Sequence, residues 1–323
     1  MVYRANVFLC LLFCLFLIRT VSVAYAVTID GVDVEDIGIK NTSWRLEPSF
    51  EYKDDSLGRE SWSLKKTIRA ALFQRYGLIA GYHHSAYKEN GVEAVNDDAG
   101  LLGLDAETPG KNHFGEALFE LHHFSDKIDI PFSFKSQLRS QWTSWFRSHF
   151  RVGREPYPSA TTLHQSIKET FVESNLFWRP IKAAEFRWLG KTEFISDNNR
   201  IYTQEAETSV RIPKIDGLQA IYLFTIENSS NQSFDYYTPN RVKQHQFGGD
   251  FYYEKEKIGY IYCRYLFGYG KSAWDDARWT IHTVTISSGV YATEKITLGP
   301  SFSWGKTPSY ESKTYNIFGR LEF

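Results

Sequence analysis

Two histidine–serine pairs have a spacing that hydrolytic chemistry could use. His83 and Ser85, and likewise His164 and Ser166, are separated by a single residue. On a β-strand, residues i and i+2 lie on the same face, so each imidazole would stand beside its hydroxyl. A general base in that position can activate the hydroxyl as a nucleophile. The pairs suggest an esterase as one function, although nine histidines make such pairs easy to find by chance.

Charged residues at alternate positions suggest a different role, the lining of an aqueous passage. Acids of one segment, Glu116 and Glu120, would face bases of the next, Lys135 and Arg139. Such cross-strand pairs stabilise a sheet by about 0.2–1 kcal/mol each and require no substrate. The alternative is a passage of mixed sign that selects solutes by size and hydration. The charged residues predicted to line a pore are Arg45, Glu47, Lys65, Arg69, Glu116, Glu120, Lys135, Arg139, Glu185, Arg187, Lys191, Glu193, Glu205, Glu207 and Arg211.

Later segments carry tyrosines that would point to the same side. Tyr252, Tyr260 and Tyr262, together with Arg264, fall on the inward face if the register continues. Tyrosine rings can stack on sugar rings, and they also suit the aromatic girdles found at membrane interfaces. The sequence leaves both roles open.

The elements that would position these residues are strands with one apolar and one polar face. In the segment 43–53, for example, Trp44 and Leu46 alternate with Arg45 and Glu47. Alternation over about 10 residues is typical of transmembrane β-barrels. We therefore predict an all-β fold, a closed antiparallel transmembrane β-barrel of about fourteen strands, or sixteen if the segment 143–181 hides a hairpin. The predicted strands are 43–53, 60–73, 77–89, 112–124, 128–142, 161–173, 182–195, 200–213, 217–230, 241–254, 257–270, 278–291, 294–305 and 311–323.

The connections between these predicted strands alternate in length. Short connections are expected at 74–76, 125–127, 213–216, 255–256 and 292–293, and long ones at 90–111, 143–160, 229–240 and 271–277. Short periplasmic turns and longer outer loops are expected when both ends of a barrel lie in the periplasm. Whether the segment 143–160 folds into the passage is left open.

The end of the chain resembles the closing strand of bacterial outer-membrane β-barrels. Tyr315, Ile317 and Leu321 alternate with polar residues up to the aromatic terminal residue Phe323, and Phe318 is the exception on the polar face. The beginning of the chain agrees, because residues 1–26 read as a secretory signal peptide with an apolar run too short to span a bilayer comfortably. We expect residues 27–42 to form a periplasmic lead-in and residues 43–323 to form the barrel.

Composition supports a protein exported to the envelope. Beyond the predicted signal peptide the sequence contains a single cysteine, Cys263, so no internal disulfide is expected. The formal net charge of −1 does not suggest nucleic acid as a partner. The mean hydropathy is −0.38, yet 16% of the residues are aromatic. A barrel combines these features because half of each strand faces water, and a secreted all-β globule is the competing interpretation.

Two short motifs extend the resemblance to a narrower group. Residues 235–241, which include Tyr237 and Pro239, resemble the start of the barrel in exopolysaccharide export porins, such as the poly-N-acetylglucosamine exporter and the cellulose-secretion channel. Trp304 and Tyr310, in residues 304–312, are similar to that group's last hairpin. The resemblance covers about a quarter of the chain and implies a sixteen-stranded barrel preceded by helical repeats. No such repeat precedes the barrel in this sequence.

A weaker resemblance concerns lipid hydrolysis. The residues His164, Gln165 and Ser166 resemble the His-x-Ser of the outer-membrane phospholipase A family. That family continues with Asn-Gly, whereas Ile167 and Lys168 follow here.

The function favoured by these observations is an outer-membrane channel without enzymatic activity, serving as a conduit for a saccharide or exopolysaccharide. A non-conducting structural or accessory barrel of an envelope assembly is the alternative, and an outer-membrane lipid hydrolase comes third. The expected partners are outer-membrane lipid, the barrel-assembly machinery, and either a saccharide polymer or a periplasmic repeat protein. No nucleic acid or cofactor is expected. No metal is expected either, because the adjacent histidines His83-His84 and His122-His123 would point to opposite faces of a strand.

Overall fold

The computed structural model describes residues 44–73, 75–110, 112–125, 128–233, 236–273, 278–293, 295–308 and 310–322. The predicted signal peptide at 1–26, the predicted lead-in at 27–42 and the terminal Phe323 lie outside these residues. Predictions about them remain predictions.

The described residues form sixteen β-strands and one short helix, α1, Ala160–His164. The strands are β1 Trp44–Asp55, β2 Arg59–Phe73, β3 Tyr76–Glu89, β4 Val92–Glu107, β5 His113–Phe124, β6 Phe132–Thr143, β7 Phe146–Pro156, β8 Lys168–Ile181, β9 Ala184–Ile195, β10 Arg200–Arg211, β11 Leu218–Ser229, β12 Val242–Lys255, β13 Gly259–Lys271, β14 Trp279–Thr293, β15 Ile296–Lys306 and β16 Glu311–Glu322.

Every strand pairs antiparallel with its neighbours in sequence, and β1 pairs with β16 to close the barrel. The closing register is continuous from the pair Arg45 and Glu322 to the pair Asp55 and Ser312. Closure leaves no sheet edge with unpaired backbone groups, which is what a strand structure needs in hydrocarbon. The predicted all-β closed antiparallel barrel is confirmed.

The outward face of the barrel is apolar and aromatic. Leu104, Phe119 and Leu121 on β4 and β5 are more than half exposed, and Trp188 on β9 is 41% exposed. Trp142, Trp145 and Trp178 are exposed where β6, β7 and β8 meet short turns. An outward face rich in apolar side chains with tryptophans at its margin fits a lipid environment and would favour aggregation in water. Among the helices of the described residues, none has the length and apolar character needed to cross a membrane.

The two ends of the barrel differ in their connections. We call the end where β1 begins and β16 finishes the turn end; its connections are 74–75, 108–112, 144–145, 182–183, 212–217, 256–258 and 294–295. The opposite end, the loop end, has connections 56–58, 90–91, 125–131, 157–167, 196–199, 230–241, 272–278 and 307–310. The loop end therefore carries the longest connections, as the sequence pattern predicts, but several of them lie at other positions.

The difference between fourteen and sixteen strands comes from two of the predicted loops. The predicted loop 90–111 contains β4, and the predicted loop 143–160 contains β7. The predicted strand 161–173 is wrong in its first half, because α1 occupies that stretch and β8 begins at Lys168. The predicted strand 128–142 begins too early, since β6 starts at Phe132 and Ile130 lies in a connection, buried beneath α1.

Candidate functional site

The inward face of the barrel carries all of the charged residues predicted to line a pore. Directly paired residues of antiparallel strands share a face, and the register connects Arg45 with Arg69, Glu116 with Gln137, and Arg187 with Glu207. Around the barrel this rule places on the inward face Arg45, Glu47, Lys65, Arg69, Glu116, Glu120, Lys135, Arg139, Glu185, Arg187, Lys191, Glu193, Glu205, Glu207 and Arg211. That these residues line an open pore is a proposal, developed below.

Arg69 on β2 is the centre of the ion-pair network on β1–β5. Its guanidinium donates to Glu47 Oε2 at 3.0 Å, to Asp105 Oδ2 at 2.8 Å and to Glu116 Oε2. The partners stand on β1, β4 and β5, so a single side chain holds four strands from the inside. Lys65, four residues from Arg69 on the same inward face of β2, reaches Glu120 on β5 at 3.2 Å.

Strands β6–β9 continue the network. Lys135 pairs with Glu155, and Arg151 pairs with Glu173 at 3.3 Å. At the turn end, Arg179 donates to Glu185 at 2.7 Å. Further along β9 from the turn end, Lys191 Nζ donates to Glu193 at 2.7 Å, and Arg187 Nε donates to Asn175 at 2.9 Å. Most charges on this half of the wall therefore have a partner of opposite sign.

The interior beside β9–β14 is more open. A cavity of about 330 Å³ there is lined by charged, amide, hydroxyl and a few apolar side chains, among them Glu205, Gln244 and Thr285. Arg264 on β13 donates to Glu207 Oε2 on β10 at 2.7 Å, passing over β11 and β12. A contact that skips two strands forms only across a concave inner surface. Tyr252, Tyr260, Tyr262 and Arg264 all point inward, as the sequence pattern predicts.

Two predicted residues are less constrained than the others. Arg139 on β6 is exposed; its guanidinium donates to Gln137 Oε1 at 3.5 Å and lies 5.9 Å from the centroid of the Phe114 ring. Arg211 is exposed at the turn end of β10. These bases are more exposed than Arg69, whose guanidinium has three carboxylate partners.

The histidine–serine pairs differ from expectation. His83 Nε2 and Ser85 Oγ are 2.8 Å apart, as predicted, but the Ser85 side chain faces the interior wall and is 1% exposed. His164 and Ser166 do not form a pair: His164 ends α1, and Ser166 has a positive φ of 55° with its Oγ accepting from the backbone N–H of Asp129.

A Ser–His–Asp arrangement that the sequence pattern did not reveal lies beside the first pair. His122 Nδ1 is 2.7 Å from Asp97 Oδ2, and His122 Nε2 is 2.9 Å from Ser133 Oγ. The serine is 1% exposed and also donates to Glu120 at 3.3 Å. Phe124 stacks on the imidazole at 5.5 Å between ring centroids. The serine is enclosed and hydrogen-bonded to a second acceptor, and the cluster links β4, β5 and β6 through side-chain hydrogen bonds.

Helix α1 narrows the mouth at the loop end. Its connection leaves β7 and packs Ala160 and Leu163 against Val95 and Phe124, two inward residues of β4 and β5. Thr161 adds two hydrogen bonds to Glu89 of β3, from its hydroxyl at 2.7 Å and its backbone N–H at 3.2 Å. Residues 157–167 therefore form a strap that folds against the inner wall. The segment 143–160, whose inward folding the sequence left open, is mainly the strand β7.

The connection 230–241 is held at the same mouth by a buried amide. Asn199 is 2% exposed; its Nδ2 donates to Tyr236 Oη at 3.0 Å and its Oδ1 accepts from the backbone N–H of Asn231 at 2.9 Å. Tyr236 in turn donates to Asp197 at 2.6 Å. Burial, reinforced by the bond to Asp197, raises the pKa of the Tyr236 phenol to about 12, so the phenol stays protonated in the neutral range. We call the hydrogen-bonded group of Asn199, Tyr236 and Asp197 the latch. The Tyr157 and Tyr236 rings pack together with their centroids 5.0 Å apart, and this contact joins the latch to the strap.

The motif residues all lie at the loop end, apart from Phe323, which is outside the described residues. Tyr237 donates to the inward Glu227 at 2.9 Å, and the carbonyl of Pro239 accepts from both the backbone and the hydroxyl of Ser229. Trp304 points outward and donates to Glu311 at 3.1 Å. Tyr310 donates to Asp55 in the neighbouring hairpin at 3.3 Å. The motif residues thus fix connections at the rim.

Several interior residues were not among the predicted ones, chiefly Asp97, Asp105, Arg151 and Glu155. They belong to β4 and β7, which the sequence pattern left as loops. The signal was present for β7, where Phe146, Phe150 and Val152 alternate with Arg147, His149, Arg151 and Glu155.

No model of a known protein family matches the sequence, and no curated protein matches it either. Solved structures match in fold. A structure described as a bacterial polysaccharide outer membrane secretin superposes with a TM-score of 0.72 and 12% identity, covering 87% of this chain and 99% of that chain. Pseudomonas aeruginosa OccK7 (OpdD) gives a TM-score of 0.47 at 7% identity, with 87% and 97% covered. The KdgM porin in complex with disordered oligogalacturonate gives 0.36 at 12% identity, with 58% and 91% covered. The first comparison shows that the chain has the fold of an outer-membrane β-barrel.

Proposed function

We propose that the protein is an outer-membrane channel that passes hydrophilic solutes through the barrel, with saccharides as its permeating class. The observation that carries this proposal is the division of the wall into two faces. The outward face is an apolar belt, and the inward face carries charged, amide and hydroxyl side chains around an internal cavity of about 330 Å³. A polar interior that enclosed no water would leave many of those groups unsolvated, at a cost that buried charges rarely recover.

The charge pattern favours selection by size and hydration. Arg69, Lys65 and Arg264 are each neutralised by carboxylates at 2.7–3.2 Å, so the passage has no uniform field of one sign. Uncharged, hydroxyl-rich solutes would meet hydrogen-bonding partners such as Gln244, Gln246 and Thr285. The solved barrel with the TM-score of 0.72 is described as a polysaccharide secretin, which supports a saccharide as cargo. We infer that the Ser–His–Asp cluster of β4–β6 has a structural role and no catalytic one, because its serine is enclosed.

The test is single-channel recording of the purified protein in a planar bilayer. The proposal expects steady conductance and a measurable reversal potential in a salt gradient. Arg139→Glu should shift that potential toward cation selectivity, because Arg139 is an exposed inward base that contacts no carboxylate among the described residues. Lys313→Glu is the matched control, since Lys313 points outward near the rim and should leave selectivity unchanged. A folded barrel that never conducts would overturn the proposal.

A second function, a closed structural barrel of an envelope assembly, is favoured by one observation. The strap 157–167 and the connection 230–241 both occupy the loop-end mouth and contact each other through Tyr157 and Tyr236. Silence in the bilayer that persists after the strap is displaced would favour this second function.

A further inference from the structure

Aromatic side chains gather on the inner wall near the turn end. Tyr252 on β12, Tyr260 on β13, Tyr291 on β14 and Phe318 on β16 all face inward and pack together. Tyr252 and Tyr260 are stacked with ring centroids 6.1 Å apart, and Tyr260 and Tyr291 are 6.4 Å apart. This cluster, which we call the tyrosine platform, explains why Phe318 interrupts the polar face of β16.

Glycines on the adjacent strands leave room for the two buried rings of the platform. A Cβ at Gly289 would lie 2.3 Å from Tyr260 Cε1, and a Cβ at Gly299 would lie 2.8 Å from Phe318 Cζ. Each ring therefore lies directly over the backbone of a glycine on the adjacent strand. Tyr260 is 8% exposed and Phe318 is 2% exposed, so these two rings form a rigid floor.

The upper layer of the platform is accessible and holds a carboxylate in place. Tyr252 and Tyr291 are half-buried, and their hydroxyls donate to the two oxygens of Glu254 at 2.7 Å and 2.6 Å. Glu254 itself is exposed. Two donors fix the orientation of the carboxylate, yet an ionised carboxylate has about four acceptor positions, so further hydroxyls can bind.

We propose that Tyr252, Glu254 and Tyr291 form a binding subsite for a neutral sugar ring at the turn-end mouth of the barrel. The apolar C–H face of a pyranose would pack on the tyrosine rings, and its hydroxyls would donate to the fixed Glu254 carboxylate. Flat aromatic surface next to a preoriented acceptor is the combination that a ring with one apolar face and an equatorial fringe of hydroxyls can satisfy at once. The inference rests on the proposed channel function, and it narrows the cargo to a saccharide that is held transiently as it enters.

The experiment measures block of single-channel current by cellohexaose, a neutral glucose oligomer, added on the turn-end side. The wild-type protein should show concentration-dependent current interruptions. Tyr252→Ala should raise the half-blocking concentration by about tenfold, the loss expected when a stacking surface is removed. Tyr253→Ala is the matched control, because Tyr253 is the neighbouring residue on the outward face and should leave block unchanged.

Two milder variants keep the test valid if Tyr252→Ala does not fold. Glu254→Gln and Tyr291→Phe preserve shape, and both should weaken block because the fixed anionic acceptor is lost or loosened. Equal block in the wild type, Tyr252→Ala and Glu254→Gln would overturn the subsite. Block by glucosamine oligomers but not by cellohexaose would also overturn it, in favour of a site for cations.

The failure of the subsite can be separated from the failure of the channel. If the barrel does not conduct, saturation-transfer NMR with cellohexaose and the detergent-solubilised protein still reports binding. Transfer that disappears in Glu254→Gln but persists in Tyr253→Ala would support the subsite in a non-conducting barrel. Conductance without any difference between those variants would leave the channel standing and the subsite wrong.

Discussion

At the residue scale, the interior is organised by how many partners each charge finds. Arg69 faces carboxylates from three strands, whereas Arg139 contacts an amide at 3.5 Å and the Phe114 ring at 5.9 Å. Charges placed away from bulk water are tolerated when they are paired and hydrogen-bonded, and removing one partner exposes the others to the full desolvation cost. The two arginines should therefore respond very differently to truncation.

We predict that Arg69→Ala destabilises the barrel by about 3–5 kcal/mol, because Glu47, Asp105 and Glu116 would then repel one another without a cation. The measurement is the free energy of unfolding in urea, in lipid vesicles, followed by tryptophan fluorescence. Arg139→Ala is the control and should change that free energy by less than about 1 kcal/mol. Equal effects of the two substitutions would contradict this account of the network.

The sequence allowed the inward residues to be identified where polar and apolar positions alternate cleanly. Glu185, Arg187 and Lys191 on β9 illustrate this, because each is flanked by outward residues such as Phe186 and Trp188. It did not allow their partners to be identified. Arg69 and Glu116 are separated by 47 residues, and their contact depends on barrel curvature.

At the element scale, the strap is anchored by a small apolar cluster. Leu163 of α1 is fully buried among Val95, Phe124 and Ile130. We predict that Leu163→Asp releases the strap, because a carboxylate cannot be buried there without a partner, and that single-channel conductance increases. Leu57→Asp is the control, since Leu57 is 52% exposed in a neighbouring hairpin. Unchanged conductance in Leu163→Asp, with protease sensitivity showing a released strap, would contradict a constriction at this mouth.

The latch between Asn199 and Tyr236 gives the loop end a defined pH response. Since the pKa of Tyr236 is raised from 10.0 to about 12, its contribution to stability is complete below pH 10 and is lost as the pH rises through about 12. We predict that proteolytic protection of residues 230–241 is constant from neutral pH up to about 10 and then falls. Tyr236→Phe should lower protection already at neutral pH, by removing the bond to Asp197. A wild-type loop that loosened near pH 7 would contradict this assignment.

Two strands were not predicted, for different physical reasons. β4 places Ala99, Leu101 and Gly103 on the inward face, so apolar residues lie on both sides and the period of two disappears. β7 alternates well, but it is joined to β6 by a two-residue turn within a segment where aromatic residues crowd the register. α1 was unpredictable because five residues are too few to show a helical period.

At the scale of the whole molecule, closure of the barrel means that the register of each strand decides which of its side chains face the interior and which face outward. A strand shifted by one residue would move its charges into lipid and its aromatic residues inside. The register of the described residues keeps most charged side chains inside and most large apolar side chains outside, from the pair of β1 and β2 to the pair of β1 and β16. The class of fold was therefore predictable from alternation and from the closing strand, whereas the strand count required the pairing itself.

The most direct test of this account is cysteine accessibility along β9 and β6 in a background with Cys263→Ala. Single cysteines at Arg187, Lys191 and Arg139 should react with a charged, membrane-impermeant thiol reagent, because these positions face the interior, which the proposed channel fills with water. Cysteines at Phe186 and Trp188 should be inert to that reagent and should quench a lipid-borne fluorophore instead. The reverse pattern would show that the register is shifted by one residue. Inert cysteines at all five positions would show a dry interior and contradict the central claim of a polar, hydrated passage.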